Sequence, residues 1–213
     1  MARLVVYYAH PGHKYSHVNR YMAQAAAAVE GITFVDLYRD YPRFDVNVII
    51  EQQRLLDHDV ILFQFPLFWY STPSIIKEWQ DLVLEHGFAY GSGGDELAGK
   101  GMMLAVTAAG PEDAYTHKGY QHYPLRTFLT PLEQTARLCK MEFAAPYVLY
   151  GALRAPQVGL AESPKSFNPC SGGRRAADKF IYLGVNTCRA QTALSGGQRE
   201  CAVGCIGLGD CVV

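Results

Sequence analysis

The apolar run VILFQF at residues 60–65 constrains this chain more than any other stretch: it is stopped by Pro66, and a helical pattern begins behind Ser71, Thr72 and Pro73. It reads as a buried strand, a turn and a helix opening at its N-terminus. In an open α/β sheet, ligands sit beyond the carboxyl ends of the strands, so Phe68, Trp69 and Tyr70 in this turn form a candidate platform for a flat ring system. The alternative is that the three aromatics are core residues, and the stretch alone does not separate the two readings.

Residues 4–8, 32–37, 102–107 and 143–150 read as further strands, and helical patterns lie at about 19–29, 47–57, 75–85 and 125–139. Five strands separated by helix-length segments predict an α/β chain with a parallel sheet covered on both faces. Right-handed crossovers make that sheet doubly wound. With 213 residues, 49% hydrophobic and 18% charged, the chain is long enough for one well-cored domain with something left over. A net charge of −1 and no Lys/Arg block exclude a nucleic-acid footprint or a polybasic membrane surface, which leaves small molecules or proteins as partners. The N-terminal MARLVVYYAHPGH has too short an apolar run for a signal sequence, and no window approaches a transmembrane length, so a cytoplasmic protein is expected.

Three loops follow strand ends on one edge of such a sheet. The first, AHPGHKYSHVN, offers Ser16, His17 and the backbone N–H groups of a helix N-terminus, where unpaired donors and the helix dipole favour a phosphate. Its spacing is neither a Walker A motif nor a G-x-G-x-x-G, and Ser16 as an ordinary helix cap is the competing reading. The second loop is the aromatic turn. The third, TAAGPEDAY, places Thr107, small residues and Gly110 after a strand, which lets the backbone approach a ligand closely. A phosphorylated flat cofactor, a flavin nucleotide, fits all three.

These motifs also carry a resemblance. YAHP followed by SHVN, QFPLFWYSTPSIIKEW, FAYG-x-GG-x-x-L-x-GK and VTAAG-x3-AY-x3-GY occur in order over residues 1–153. Together they resemble the flavodoxin-like NAD(P)H:quinone oxidoreductases, and within them the potassium-efflux ancillary and modulator-of-drug-activity group. The resemblance implies a flavodoxin-like, five-stranded sheet of order 2-1-3-4-5. It implies two-electron reduction of quinones by a bound flavin, FMN or alternatively FAD, with NAD(P)H as co-substrate, in homodimers whose sites lie at the interface. It assigns His10, Ser16, His17, Val18 and Asn19 to the phosphate side, Pro66, Leu67, Phe68 and Trp69 to the isoalloxazine, and Thr107, Ala108, Ala109 and Gly110 to its polar edge. The family's Thr-Thr-Gly-Gly is Thr-Ala-Ala-Gly here, so one hydroxyl and one glycine are missing. Tyr115 matches the tyrosine that faces flavin and substrate, and His122 is the nearest match to the catalytic histidine, a surface role being the alternative. A regulatory module docking on a glutathione-gated potassium-efflux antiporter, peripheral at the inner membrane, is the second functional reading.

The pattern breaks near Ala155, giving a flavin-binding domain over 1–155 and an irregular Cys-rich, Gly-rich tail over 156–213, with the usual last helix missing or replaced. Residues 1–155 carry 13 basic and 16 acidic side chains and residues 156–213 carry 6 and 4, and five of the six cysteines fall after the break. Cys139, alone at the end of a helical pattern, reads as a buried structural thiol. Cys170, Cys188, Cys201, Cys205 and Cys211 have spacings that resemble a piece of the B subunit of Rnf-type electron-transport complexes. In a cytosolic chain such clustering suggests metal or cluster ligation before disulfides, and with this resemblance the C-x3-C-x5-C run of Cys201, Cys205 and Cys211 is consistent with iron–sulfur ligation. A flavin-to-cluster electron-transfer fusion is one reading of the tail, and a junction product with free thiols is the other.

Overall fold

The computed structural model describes residues 2–154. The break at Ala155, the replaced last helix and the five clustered cysteines lie outside the described residues.

The central strand β3 (Val60–Pro66) is buried at every position, as are β1 (Leu4–Tyr8) and β4 (Gly101–Thr107). Strands buried on both faces read as continuous apolar runs, which is why these three are visible in the sequence. β2 (Ile32–Asp36) flanks β1, and the strand order β2-β1-β3-β4-β5 is the expected 2-1-3-4-5, parallel throughout. Odd positions of β3, Ile61, Phe63 and Phe65, pack with Leu55, Ile75, Ile76 and Trp79 on one face. Even positions Val60 and Leu62 pack with Leu4, Val6, Met22 and Ala26 on the other. The period-2 alternation of a strand thus feeds two cores.

Helix α1 (His17–Ala27) covers the second face, capped by Ser16, whose hydroxyl accepts from the Asn19 N–H at 3.3 Å. A one-turn helix α2 (Leu37–Asp40) precedes α3 (Val48–Leu56), capped by Asn47, and α4 (Ser74–Val83) follows the aromatic turn. The helix expected over 125–139 has two parts, a 3-10 stretch Leu125–Leu129 and α5 (Thr130–Leu138). Pro131 sits at the start of α5, where its missing N–H interrupts the ladder that would join them. Cys139 ends α5 buried, and burial pushes its thiol pKa up.

The fifth strand, expected to be continuous over 143–150, is divided into β5 (Glu142–Phe143) and β6 (Tyr147–Leu149), both pairing parallel with β4. Phe143 lies opposite Met102 and Tyr147 opposite Ala105, so one extra residue is accommodated between the two pieces. Pro146, unable to donate to the ladder, sits in that bulge.

Within the α3–α4 face lies a carboxylate that the apolar pattern does not announce. Glu51 is 0% exposed, with Leu55 one turn further along the same face. Tyr41 Oη donates to Oε1 at 2.5 Å, Trp79 Nε1 donates to Oε2 at 3.1 Å, and the Arg54 guanidinium pairs with Oε1. Burial first, and Glu51 second, push the Tyr41 hydroxyl up to about 12, so it stays a donor.

Candidate active site

The carboxyl ends of β1, β3 and β4 open into three loops that are tied to one another. His10, in the first, is buried and stands edge-on to Phe68 of the second, with ring centroids 5.6 Å apart. Leu67 N–H, in the second, donates to Thr107 O of the third at 2.8 Å. Asn19, at the start of α1, reaches the Thr107 hydroxyl with its amide, Nδ2 to Oγ1 3.1 Å. The loops the sequence placed on one edge therefore form one assembly.

The first loop is preformed by side-chain contacts. His10 Nδ1 accepts from the Gly12 N–H at 3.1 Å, which leaves Nε2 of the neutral ring as the nitrogen bearing the proton. Desolvation, then the neighbouring His13 charge, lower the His10 pKa, so the neutral form prevails near pH 7. Tyr8 Oη and His13 Nδ1 lie 2.8 Å apart and fasten the 3-10 turn His13–Tyr15 to the end of β1. Ser16 then caps α1 while His17 and Val18, its first residues, have N–H groups with no intrahelical acceptor. That pair of donors, beside the Ser16 hydroxyl and at the positive end of the helix dipole, suits a phosphate.

The second loop is closed by reciprocal bonds between Phe68 and Ser71, each N–H donating to the other's carbonyl at 3.0 Å. Between them Trp69 has φ 48° and Tyr70 φ 64°. Positive φ at both central positions is the type I′ arrangement, favoured by Asn-Gly and costly for bulky side chains. Strain of about 1–3 kcal/mol at each position collects at functional sites more than elsewhere. The core reading of this cluster fails: Phe68 and Tyr70 are partly open to solvent, and Trp69 is 93% exposed.

In the third loop Thr107, Ala108 and Gly110 are buried and Ala109 is exposed. The Ala108 N–H donates to Leu149 O at 2.9 Å, and its carbonyl accepts from Ala152 at 2.9 Å, so β6 and the turn after it hold this loop in place. The change of Thr-Gly to Ala-Ala at 108–109 thus removes a hydroxyl from a buried position and adds a methyl at an exposed one. Gly110 backs onto the tyrosines: a Cβ there would sit 2.7 Å from Tyr120 Oη and 3.3 Å from the Tyr115 ring. Tyr115 is 8% exposed; burial raises its hydroxyl pKa, opposed by a backbone hydrogen bond from Gly110, and the group remains protonated.

Phe128, which the sequence offered only as a helix residue, is the hub of this side of the site. Tyr70, Tyr115 and Tyr123 meet its ring at centroid distances of 5.0, 6.5 and 6.2 Å, and Tyr150 meets Tyr115 at 5.7 Å. No local motif marks Phe128 or Tyr150, because both are brought in by tertiary packing. His122 is exposed, on a left-handed turn with φ 63°, and its N–H donates to Gly119 O at 2.9 Å.

Gly119 is the tightest point of that turn. A Cβ there would lie 2.3 Å from Ala114 O and 2.5 Å from Asp113 O, backbone atoms that cannot rotate away. Gly119→Ala should therefore displace the backbone next to Tyr115 and lower stability by about 1–3 kcal/mol. Urea unfolding measures this, and a loss below about 0.5 kcal/mol would mean that the turn relaxes freely.

The donor set suits the flavin nucleotide expected from the sequence: helix N-terminal N–H groups at one end, an exposed aromatic turn, and a buried tyrosine hydroxyl at the other. The fold has relatives among known proteins. A family model described as flavodoxin-like fold matches residues 2–163. The glutathione-regulated potassium-efflux system ancillary protein KefG of Enterobacter sp. (strain 638) is 40% identical over 166 residues, covering 78% of this chain and 91% of the relative. Among solved structures, a chain named a thermophilic tryptophan halogenase from Streptomycin violaceusniger is 37% identical with TM-score 0.73, covering 83% of this chain and 95% of its own. General stress protein 14 of Treponema denticola, in complex with FMN, is 27% identical with TM-score 0.75, covering 89% and 99%. An NADPH-quinone reductase from P. pentosaceus is 24% identical with TM-score 0.69, covering 84% and 95%, a likeness of fold.

Proposed function

The chain belongs to the flavodoxin-like fold family, and on that premise we propose that it is a flavin-dependent NAD(P)H:quinone oxidoreductase that binds FMN. The observation that carries this reading is the convergence of three tied loops at one sheet edge, with free helix N-terminal donors, an exposed aromatic turn and a buried protonated tyrosine. The FMN-bound relative favours FMN over FAD. When bound, a flavin supplies hydride transfer from a nicotinamide to a quinone.

The chain's own residues bind, orient and protonate. The N–H groups of His17 and Val18 receive the phosphate with the Ser16 hydroxyl beside them, and His10 Nε2–H adds a donor from a neutral ring. Pro66, Leu67, Phe68 and Trp69 supply an apolar wall for the ring system, and Ala109, the exposed member of its loop, and Gly110 its polar edge. Tyr115 Oη, held protonated by burial, is the donor toward negative charge developing on the reduced ring or on the quinol oxygen. His122, on the turn after Tyr115, is exposed to solvent.

Tyr15, Trp69, Tyr70, Tyr120 and Tyr123 are exposed aromatics carried by these loops and the turns beside them. A second copy of the chain covering this edge would bury them and close the site, as a homodimer does. The test of function is direct: the purified protein should be yellow, release FMN on denaturation, and oxidise NAD(P)H when quinone is added. A colourless protein that takes up no added FMN ends this reading. Tyr115→Phe should lower quinone turnover by about tenfold or more while flavin content stays intact, since it removes a donor and little volume. Unaltered rates with several quinones would make Tyr115 a packing residue.

The potassium-efflux relative supports a second role, a cytoplasmic regulatory partner of a membrane antiporter. Among the described residues no helix is long and apolar enough to cross a membrane. Channel activation retained by the turnover-deficient Tyr115→Phe variant would separate that role from catalysis.

A further inference from the structure

Asn19 falls among the residues that the resemblance assigns to the phosphate side, yet its side chain is engaged inside the protein with Ser16 and Thr107. It is 3% exposed. Its backbone N–H goes to Ser16 Oγ at 3.3 Å, and its amide Nδ2 lies 3.0 Å from Ser16 Oγ and 3.1 Å from Thr107 Oγ1. Thr107 Oγ1 is also 3.2 Å from Asn19 Oδ1, so the same contact is alternatively made with the Thr107 hydroxyl as donor. With Thr107 as acceptor both amide N–H donors are used, and with Thr107 as donor one N–H and Oδ1 are used, so the side chain bonds both Ser16 and Thr107 either way. Thr107 is likewise committed, with its hydroxyl buried against Asn19 and its carbonyl accepting from Leu67 N–H.

We infer that Asn19 is a positioning residue rather than a phosphate ligand: it couples the loop that caps α1 to the loop after β4, residues 88 positions apart in the chain, so that the two ends of the cofactor site keep a fixed separation. The inference rests on the flavin reading for its consequence and on the hydrogen bonds alone for its geometry. Ser16 faces the phosphate end, Thr107 begins the loop at the ring end, and the Asn19 side chain is the buried polar link between them. Disturbing either end should be felt at the other, because a buried amide that loses one partner must reorient toward the remaining one.

The experiment is a double-mutant cycle on FMN affinity, read by flavin fluorescence quenching in the full chain. Wild type, Ser16→Ala, Thr107→Val and the double variant should depart from multiplicative behaviour by at least about threefold, the range seen for residues sharing a hydrogen-bond network. In an Asn19→Leu background the same cycle should be multiplicative within about twofold. A general loss of stability would not produce coupling that disappears with one side chain. Multiplicative behaviour in both backgrounds, or coupling that survives Asn19→Leu, overturns the inference. Amide hydrogen exchange provides an arm that needs neither flavin nor the Asn19→Leu variant. Thr107→Val should speed exchange at the Asn19 and Arg20 amides while the β1 and β3 amides keep their protection. No change at Asn19 and Arg20 overturns the link even if FMN binds, whereas faster exchange there in a chain that binds no FMN upholds the link and rejects the flavin reading.

Discussion

Glu51→Ala should lower the unfolding free energy by about 3–5 kcal/mol, the cost of breaking a buried, hydrogen-bonded ion pair by removing one partner. Three donors converge on this carboxylate, from Tyr41, Trp79 and Arg54, and alanine can accept from none of them. The Trp79 indole N–H and Tyr41 hydroxyl would be left buried without a partner, each at about 1–3 kcal/mol. Arg54, partly open to solvent at 24%, can turn outward and recover hydration, which keeps the total from rising further. Against a domain stability of about 5–15 kcal/mol this is a large fraction. Glu51→Gln refines the test. Its carbonyl can still accept from Tyr41, but its amide N–H₂ would confront the Trp79 N–H donor to donor, so it should lie between wild type and alanine. Urea unfolding followed by tryptophan emission is suited to the measurement, because the two tryptophans report different places: Trp79 is buried in this network and Trp69 is open to solvent. A loss below about 1 kcal/mol for Glu51→Ala would mean that the carboxylate is not the acceptor the geometry makes it.

Glu51 also marks where the sequence stops being legible. On α3 it stands one turn from Leu55, on the face that packs against α4, and a reading by apolar periodicity takes a glutamate at that position as an edge of the stripe rather than its centre. Nothing within nine residues tells that Tyr41 and Trp79 will arrive to satisfy it. The strands behave oppositely. β1, β3 and β4 are buried on both faces, so their character is a local property of five to seven consecutive residues, and their order follows from crossover handedness. The divided edge strand falls between these cases, since Pro146 is visible in the sequence but the extra residue it accompanies appears only once β4 fixes the register.

The site divides along the same line. Ser16 was readable as a cap because capping is a contact over three residues, and the helix donors beside it follow from that. Asn19 was readable as part of the motif but not as a strut, because its second partner is Thr107. The aromatic turn was readable as a platform but not as a type I′ turn, because no turn-forming residue occupies either central position. Local preference and observed backbone disagree there, and such disagreement is expected where function rather than stability has selected the residues.

That disagreement yields an expected result of opposite signs. Replacing Trp69 with Asn and Tyr70 with Gly installs the pair that a type I′ turn favours. Relief of strain at two positions, about 1–3 kcal/mol each, is opposed by the lost contact between Tyr70 and Phe128, about 0.5–1.5 kcal/mol, and by the added chain entropy of glycine, about 0.5–1 kcal/mol. The apoprotein should therefore gain about 1–3 kcal/mol of stability. Trp69 in particular contributes almost nothing to the fold of the isolated chain, being 93% exposed. Its indole is available instead to the bound ring or to a second copy, and losing that burial should weaken FMN retention by about 2–3 kcal/mol, roughly 30- to 150-fold. Trp69→Ala alone should show most of the loss of flavin. It should show little of the gain in stability, since alanine also disfavours positive φ and Tyr70 remains strained. Urea unfolding of the apoprotein and titration with FMN separate the two effects. A double variant that is less stable than wild type would mean that the turn is not strained as its dihedral angles indicate, and one that binds FMN unchanged would remove Trp69 from the cofactor wall. Only the combination of higher stability and weaker retention fits a turn whose unfavourable backbone is kept for the surface it presents.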